Sequence, residues 1–247
     1  MEFKSIEELL AMLESLRMIG FGSQGTCYLN KKTGEVYKIF NQFIEDFMDD
    51  KIIYTKKELM KFSTIKNKTF LWALDTISVE DEIVGYINSF VNAKPLYKIN
   101  PLRINLKKFE KCIKNVQKDI KILSDNSVLT YDIMYNILYG SRFFVTDFDE
   151  FNYSNLETKK LEQINNRNFN YELYYFLIDG YFDEFINDYD NLKKLYQEKD
   201  ADILYFINLF RKYLSEYVGK EIITLNDAPK CLNKVKKNMI YQRDYIK

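Results

Sequence analysis

Histidine is absent from this chain of 247 residues, and its absence excludes several kinds of chemistry at once. Without an imidazole there is no serine–histidine or cysteine–histidine nucleophile pair, no histidine-ligated zinc and no histidine acid–base catalysis. Any chemistry must depend on carboxylates, lysine, side-chain amides and a metal ion held by oxygen atoms. Such a set of groups suits Mg²⁺ and phosphates.

Cysteines are also few, neither sign of charge is in excess, and long apolar segments are lacking. Cys27, Cys112 and Cys231 are far apart and odd in number, which indicates reduced thiols rather than a disulfide framework or a zinc site. Lysine and arginine together number 36, as do aspartate and glutamate. The chain therefore lacks the net positive charge that would predict a nucleic-acid partner. Charges begin at Glu2 and no long apolar run follows, so we expect no signal segment, no membrane span and a cytoplasmic location.

Three glycines do lie close together, ahead of a lysine on a predicted strand. The segment 19–28 contains Gly20, Gly22 and Gly25, and Lys38 follows. Glycine tolerates positive φ and has no Cβ, so this loop can lie close over phosphates, and the lysine adds a charge for the same anion. A strand pattern rather than a helix follows the glycines, which favours a glycine-rich β-hairpin over a dinucleotide-binding fold. An ordinary hairpin with incidental glycines is the alternative.

Hydrophobic periodicity divides the chain into an early part rich in strands and a later helical part. The break after residue 90 predicts two regions, 1–90 and 91–247. Short strands with a turn at Gly140-Ser141 are predicted between Leu129 and Phe148, and residues 152–170 show no period. Strands are predicted near 17–22, 25–30, 35–40, 70–78 and 82–89, and helices near 5–16 and over 42–64, 105–123 and most of 170–218.

Oxygen-bearing side chains recur in the middle of the chain. Asp132 and Asn136 lie close together in a predicted loop, and a strand, a turn and a second strand then lead to Asp147. We expect these three side chains to converge at the end of one hairpin. Mg²⁺ bound to a triphosphate needs such a partial oxygen shell.

Taken with the glycine loop, this order of motifs resembles the protein-kinase-like superfamily, which includes small-molecule kinases. The resemblance covers about residues 16–150. It implies a bilobal α+β fold, with a small antiparallel β-sheet N-lobe (1–90) that holds one main helix and a mostly helical C-lobe (91–247). It also implies ATP and Mg²⁺ as cofactors.

The resemblance implies a role for each residue of the N-lobe that matches. Gly20, Gly22, Ser23 and Gly25 resemble the loop that covers the phosphates, and Lys38 resembles the strand lysine that pairs with the α- and β-phosphates. The resemblance also implies a glutamate on a helix that positions this lysine.

The glutamate and the hinge are matched as follows. Glu58 is the first choice for the helix glutamate that positions Lys38, and Glu45 is the competitor. Ser89, Phe90 and Val91 resemble the hinge, whose backbone would hydrogen-bond an adenine.

In the C-lobe, Asp132 resembles the catalytic aspartate, while Asn136 and Asp147 resemble the two metal ligands. The resemblance therefore implies that Lys38, Asn136 and Asp147 meet around one triphosphate.

The chain departs from the family pattern at several positions. Asp132 and Asn136 are one residue closer together than in the family's usual loop. Thr130-Tyr131 replaces the usual His-Arg, which makes regulation through a phosphorylated activation loop improbable. Met134 stands where a polar group is common, and Asp149 replaces the glycine of Asp-Phe-Gly. No proline occurs between 150 and 228, which puts a peptide-substrate platform in doubt.

The resulting hypothesis is phosphoryl transfer from ATP to a hydroxyl acceptor, either a protein serine or threonine or a small-molecule alcohol. A pseudokinase, acting as a nucleotide-binding or partner-binding scaffold, is the alternative. A strongly acidic pocket in the C-lobe would favour a cationic small molecule, although a solvated helix face is the simpler interpretation. The carboxylates that could supply such a pocket are Asp179, Asp183, Glu184, Asp188 and Asp190.

Overall fold

A computed structural model of the chain describes residues 1–22, 24–43, 53–131, 133, 135–198 and 202–233. This part contains both helices and strands, so the predicted α+β class is confirmed. The chain divides into two compact units, Met1–Asn92 and Ala93–Lys247. The sequence pattern places the corresponding boundary after residue 90.

A six-stranded sheet forms most of the first unit. Its strands are β1 (Glu2–Phe3), β2 (Arg17–Phe21), β3 (Gly25–Asn30), β4 (Glu35–Phe40), β5 (Asp75–Val79) and β6 (Glu82–Ser89). They lie in the order β1-β5-β6-β4-β3-β2. The four pairs from β5 to β2 are antiparallel, whereas β1 pairs with β5 in parallel. The sheet is therefore mixed, and the expectation of a purely antiparallel sheet is wrong.

Helix α1 (Ile6–Glu14) begins where its sequence predicts. The Ser5 hydroxyl caps it by accepting a hydrogen bond from the Glu8 N–H at 3.4 Å. The Glu8 carboxylate in turn accepts from the Lys4 N–H at 2.8 Å, one residue further back than in the usual capping box. The helix thus has its first-turn donors satisfied and can place an apolar face on the sheet.

One face of the sheet packs on α1 and forms the core of this unit. Leu9 and Leu13 of α1 are buried there with Tyr37 and Ile39 of β4. Burying a side chain of this size contributes roughly 1.5–3 kcal/mol. Because side chains alternate along a strand, Lys38, between Tyr37 and Ile39, lies on the opposite face.

The predicted helix over 42–64 is not continuous. Asn41–Phe43 forms a single 3₁₀ turn, residues 53–55 are not helical, and helix α2 covers only Lys56–Leu59. Thr55 is extended and caps α2, which fixes the start of the helix there.

The predicted strand over 70–78 begins later, at Asp75. The Asn67 side chain accepts hydrogen bonds from the Thr69 and Phe70 N–H groups at 2.9 and 2.6 Å, and the Trp72 indole donates to the Ile65 carbonyl at 2.9 Å. These local bonds hold the preceding segment as a loop.

Five helices form the framework of the second unit's described part. Helix α3 begins at the predicted position, where the Asn105 side chain accepts from the Lys108 N–H at 3.0 Å. Burial of Phe109, Ile113, Val116 and Ile120 confirms its predicted apolar face. The helices are α3 (Leu106–Asp125), α4 (Thr158–Leu177), α5 (Asp183–Asn187), α6 (Asp190–Glu198) and α7 (Ile203–Val218).

Two small sheets complete the second unit. Strands β7 (Lys94–Pro95), β9 (Ile137–Tyr139) and β10 (Phe143–Val145) form one, in the order β10-β9-β7, and β8 (Val128–Leu129) pairs with β11 (Asn152–Tyr153) in the other. The turn between β9 and β10 contains Gly140-Ser141, as predicted.

Helix α4 begins inside the segment that shows no sequence period. Four asparagines lie in its middle, and asparagine is a weak helix former because its side chain competes for backbone hydrogen bonds. Tertiary hydrogen bonds of two of them, Asn165 and Asn168, oppose that preference.

The cysteines are thiols, as expected, and burial raises the pKa of both Cys112 and Cys231. Among the described residues, no helix combines the length and apolarity that a membrane crossing requires.

Candidate functional site

The glycine-rich segment is a tight β-hairpin, as predicted. Strands β2 and β3 are joined by a short turn in which the Gly22 N–H donates to the Gly25 carbonyl at 3.0 Å. All five residues of β2 are exposed, and β2 is the edge strand of the sheet. The backbone of this turn is therefore accessible in the first unit.

The three glycines have different reasons to be glycine. A Cβ on Gly25 would lie 2.7 Å from the Ile39 carbonyl oxygen, so Gly25 is required by the close approach of β3 to β4. A Cβ on Gly20 or Gly22 would have its nearest neighbours at 3.9 and 3.8 Å. Neither of these two residues has a φ in the left-handed region. Positive φ, the property first expected to matter, therefore explains none of the three.

Asn41 fixes the shape of this hairpin. Its side-chain amide donates to the Gly22 carbonyl at 2.8 Å, its N–H donates to the Gln24 carbonyl at 3.1 Å, and its side-chain oxygen accepts from the Thr26 hydroxyl at 3.1 Å. Asn41 is buried, at 3% exposure. Sequence analysis missed this residue, and the available signal is a polar amide directly after an apolar strand.

Lys38 lies on the face of the sheet opposite α1. It pairs with Cys27 of β3 and Tyr86 of β6, and its Nζ lies 5.2 Å from the centroid of the Tyr86 ring. The side chain is half-buried. A Cβ on Gly85 would collide with the Lys38 carbonyl, so β6 also approaches β4 closely at this point.

Glu58 forms a local cap at the start of α2. Its carboxylate accepts hydrogen bonds from the Thr55 hydroxyl at 2.6 Å and the Thr55 N–H at 2.7 Å, which form the capping box of α2. The Thr55 hydroxyl, followed by the Thr55 N–H, lowers the pKa of this carboxyl. Glu58 is fully exposed, and no ion pair between Lys38 and Glu58 occurs in the described residues. Its role as the glutamate that positions Lys38, which the resemblance implied, stays a prediction.

The hinge residues are only partly available for an adenine. Ser89 is the last residue of β6, and Phe90 donates its N–H to the Gly34 carbonyl at 2.8 Å. That bond holds the end of β6 against the turn between β3 and β4. The assignment of Ser89, Phe90 and Val91 as a hinge stays a prediction.

In the second unit, the β9–β10 hairpin brings Asn136 next to the residue before Asp147. The Thr146 N–H and hydroxyl both donate to the Asn136 carbonyl, at 3.0 and 3.2 Å. Ile137 pairs with Val145, so Asn136 and Asp147 lie just beyond the paired ends of the two strands. Both are half-buried. The predicted proximity of these two residues is therefore present in the backbone.

Helix α3 holds the opposite end of this hairpin. Arg142 donates to the Asp119 carboxylate at 2.9 Å, with side chains only 20% and 10% exposed. The Cys112 thiol donates to the Ser141 carbonyl at 3.5 Å, and the buried Phe143 ring packs edge-on against Phe109. The hairpin is therefore held against α3 by polar and apolar contacts.

Two residues of this region have left-handed backbone conformations. Tyr135 has φ +64° and Asp147 has φ +60°. Such a conformation is uncommon outside glycine and costs free energy of order 1 kcal/mol or more. Its occurrence directly before Asn136 and at Asp147 itself is typical of functional loops.

Asn165 of α4 holds the segment that leads to Asp132. Its side-chain oxygen accepts from the Thr130 N–H at 2.8 Å and the Thr130 hydroxyl at 3.0 Å. Its amide donates to the Ser124 hydroxyl and the Val128 carbonyl, at 3.1 and 2.8 Å. Asn168 donates to the Thr130 carbonyl at 2.8 Å. Asn165 is completely buried, and sequence analysis missed it because it lies in a segment without a period.

Some predicted positions lie outside the described residues. They are Ser23, Glu45, Asp132 and Met134. The catalytic role of Asp132 and the choice of Glu45 as partner of Lys38 stay predictions.

The metal donors available in the described residues are few. Within those ranges, no group of three or more cysteine, aspartate and glutamate side chains is placed to share a metal ion. Asn136 and Asp147 supply one amide and one carboxylate, which are hard oxygen donors of the kind that Mg²⁺ prefers.

Comparison with known proteins adds no family assignment. No protein-family model matches the sequence. No curated protein matches it either.

Proposed function

We propose that this chain is an ATP-dependent phosphotransferase, in which Mg-ATP donates its γ-phosphoryl group to a hydroxyl acceptor. The proposal includes a bilobal, kinase-like fold with Met1–Asn92 as the N-lobe. The observation that supports it is the β9–β10 hairpin, because the bond from the Thr146 N–H to the Asn136 carbonyl brings the backbone of Asn136 beside the left-handed Asp147. The glycine hairpin and Lys38 precede this pair in the order that the resemblance to kinases implies.

The first unit would hold the phosphates. Gly20 and Gly22 leave bare, exposed backbone in the hairpin, and Asn41 holds the carbonyls of Gly22 and Gln24. A preorganised loop avoids the entropy loss of ordering itself around a ligand. Lys38 would supply a positive charge to the same phosphates.

The second unit would hold the metal and the acceptor proton. Asn136 and Asp147 fit Mg²⁺ by their oxygen chemistry, and the bound ion would neutralise charge on the phosphates. The acceptor oxygen would form a bond to the γ-phosphorus while the bond from that phosphorus to the β–γ bridging oxygen breaks. ADP leaves with the electron pair, and the Asp132 carboxylate accepts the hydroxyl proton.

The test is formation of ADP from ATP in the presence of Mg²⁺. We expect Asp147→Asn to lower turnover at least about a hundredfold, since metal binding stabilises such transition states by several kcal/mol. Asparagine is chosen because it tolerates the left-handed φ of this position better than alanine. Asp81→Asn, at an exposed aspartate that also has a left-handed φ of 71°, is the matched control and should keep full turnover.

The outcome separates enzyme from scaffold. Equal turnover in Asp147→Asn and in the control would overturn the metal role of Asp147. If the unaltered protein binds ATP without any Mg²⁺-dependent turnover, the pseudokinase alternative replaces the proposed enzyme.

A further inference from the structure

The second unit contains a cavity of about 170 Å³ that the assignments above do not use. Aromatic rings and two carboxylates line it. The rings are those of Tyr97, Tyr135, Tyr175, Phe176 and Tyr181, and the carboxylates are those of Glu172 and Asp179.

Helix α4 supplies much of the wall. Glu172, Tyr175 and Phe176 lie three and four residues apart near its end, so they share one face of the helix, and Asp179 follows two residues after it. Tyr181 is buried, whereas Tyr175 is 55% exposed. The cavity therefore has a closed base and an accessible aromatic rim.

Two lining residues adjoin a proposed metal ligand in the sequence. Tyr135 and Ile137, which flank Asn136, both belong to its lining. Tyr135 contacts Tyr97 of the same cavity edge-on, with ring centroids 5.9 Å apart. A molecule in the cavity would therefore contact the same hairpin that carries Asn136.

The chemistry of the lining favours a positive charge. Among the described residues that line it there are two carboxylates and no lysine or arginine. Aromatic faces carry a partial negative charge and attract cations, quaternary ammonium ions above all. Tyr97 already illustrates this, because the Lys98 Nζ lies 5.7 Å from its ring centroid.

A tyrosine hydroxyl contacts the carboxylate of Asp179. The Tyr196 hydroxyl contacts the Asp179 carboxylate at 3.4 Å and that of Asp183 at 3.3 Å. Burial, together with the charges of Asp183 and Asp179, raises the pKa of Tyr196, so this hydroxyl stays protonated and donates. The carboxylate at the cavity is thereby oriented without being neutralised by a basic side chain there.

We propose that this cavity binds a small organic cation that carries an ammonium group. The volume is close to that of an engineered cavity of roughly 150 Å³ that accepts benzene, so a compact ion fits. Taken together with the proposed function, on which this clause rests, the inference makes an ammonium-bearing alcohol the acceptor class.

The experiment compares a cation with its neutral isostere. Choline and 3,3-dimethylbutan-1-ol have the same shape, but carbon replaces the charged nitrogen in the second. We expect choline to bind at least about tenfold more tightly, as measured by calorimetric titration without ATP. Tyr175→Leu and Asp179→Asn should each weaken choline binding at least about threefold. Tyr205→Leu, which removes an exposed tyrosine of α7, is the matched control and should leave binding unchanged.

Two results would overturn the inference: equal affinity for choline and its isostere, or unchanged choline binding in both cavity variants. Because ATP is absent from the titration, the two proposals fail separately. Charge-selective binding in a protein without ATP turnover removes the phosphotransferase and keeps the cation site. ATP turnover in a protein with no preference for the cation removes only the cation site.

Discussion

The glycines near β4 form two pairs that differ in what surrounds them. Gly25 of β3 and Gly85 of β6 approach β4 from its two sides at Lys38 and Ile39, and a Cβ on either would meet the backbone there. Gly20 and Gly22 meet no such obstacle. The fold explains the first pair, whereas under the proposed function the second pair leaves room for phosphates to come close to the hairpin.

This difference predicts that two similar substitutions affect different properties, stability in one case and ATP binding in the other. Gly25→Ala should lower the free energy of unfolding by about 1–3 kcal/mol, because the added methyl group overpacks β4. Gly22→Ala should change it by less than about 0.5 kcal/mol and should weaken ATP binding about fivefold, the equivalent of one hydrogen bond. Urea unfolding and ATP titration measure the two effects. Equal ATP affinity in Gly22→Ala and the unaltered protein would argue against a phosphate role for this turn.

Among the secondary-structure elements, α4 is the one that the sequence does not reveal and that the second unit depends on. Its asparagines lower its intrinsic helix propensity. Two of them, Asn165 and Asn168, satisfy all the backbone polar groups and the hydroxyl of Thr130. The same helix ends at the cavity, which Tyr175 and Phe176 line. One element therefore supports the segment before Asp132 and the proposed cation site.

Asn165→Ala tests the support that α4 gives to this segment. It should lower the free energy of unfolding by roughly 2–4 kcal/mol, since buried donors and acceptors from Ser124 to Thr130 lose their partner. Asn166→Ala is the matched control on the same helix. The Asn166 side chain bonds only the Glu162 carbonyl one turn back and leaves its own oxygen buried without a partner. The control should therefore be neutral or slightly stabilising, and equal losses in both variants would refute the assigned support.

At the scale of the whole molecule, the proposed function draws residues from both compact units. Lys38 and the glycine hairpin belong to Met1–Asn92, whereas Asn136, Asp147 and the cavity belong to Ala93–Lys247. A ligand that binds the native protein alone raises its apparent stability by mass action.

Mg-ATP should therefore raise the melting temperature of the chain. At a hundredfold excess over Kd the stabilisation is about 2.7 kcal/mol, which corresponds to several degrees for a chain of this size. Chelating Mg²⁺ with EDTA should remove most of the shift, as should Asp147→Asn in the presence of Mg²⁺. Thermal scanning at constant protein concentration measures it. The absence of any shift with Mg-ATP would contradict nucleotide binding.

The sequence by itself determined the elements that a local pattern encodes. Strands β2, β3 and β4 and helices α1 and α3 lie within a residue or two of their predicted ends, because alternation, caps and turns are properties of neighbouring residues. The proximity of Asn136 and Asp147 followed from the same logic, since a short hairpin brings its two ends together.

The tertiary structure alone decided the features whose partners are distant along the chain. The bonds from Asn165 reach residues 35–41 positions away, and the amide of Asn41 reaches 19 positions back to Gly22. The parallel pairing of β1 with β5 is equally remote. Glu58 shows the reverse case, in which the side chain bonds a residue only three positions away. A contact between distant residues leaves no period in the sequence, so only the folded chain reveals it.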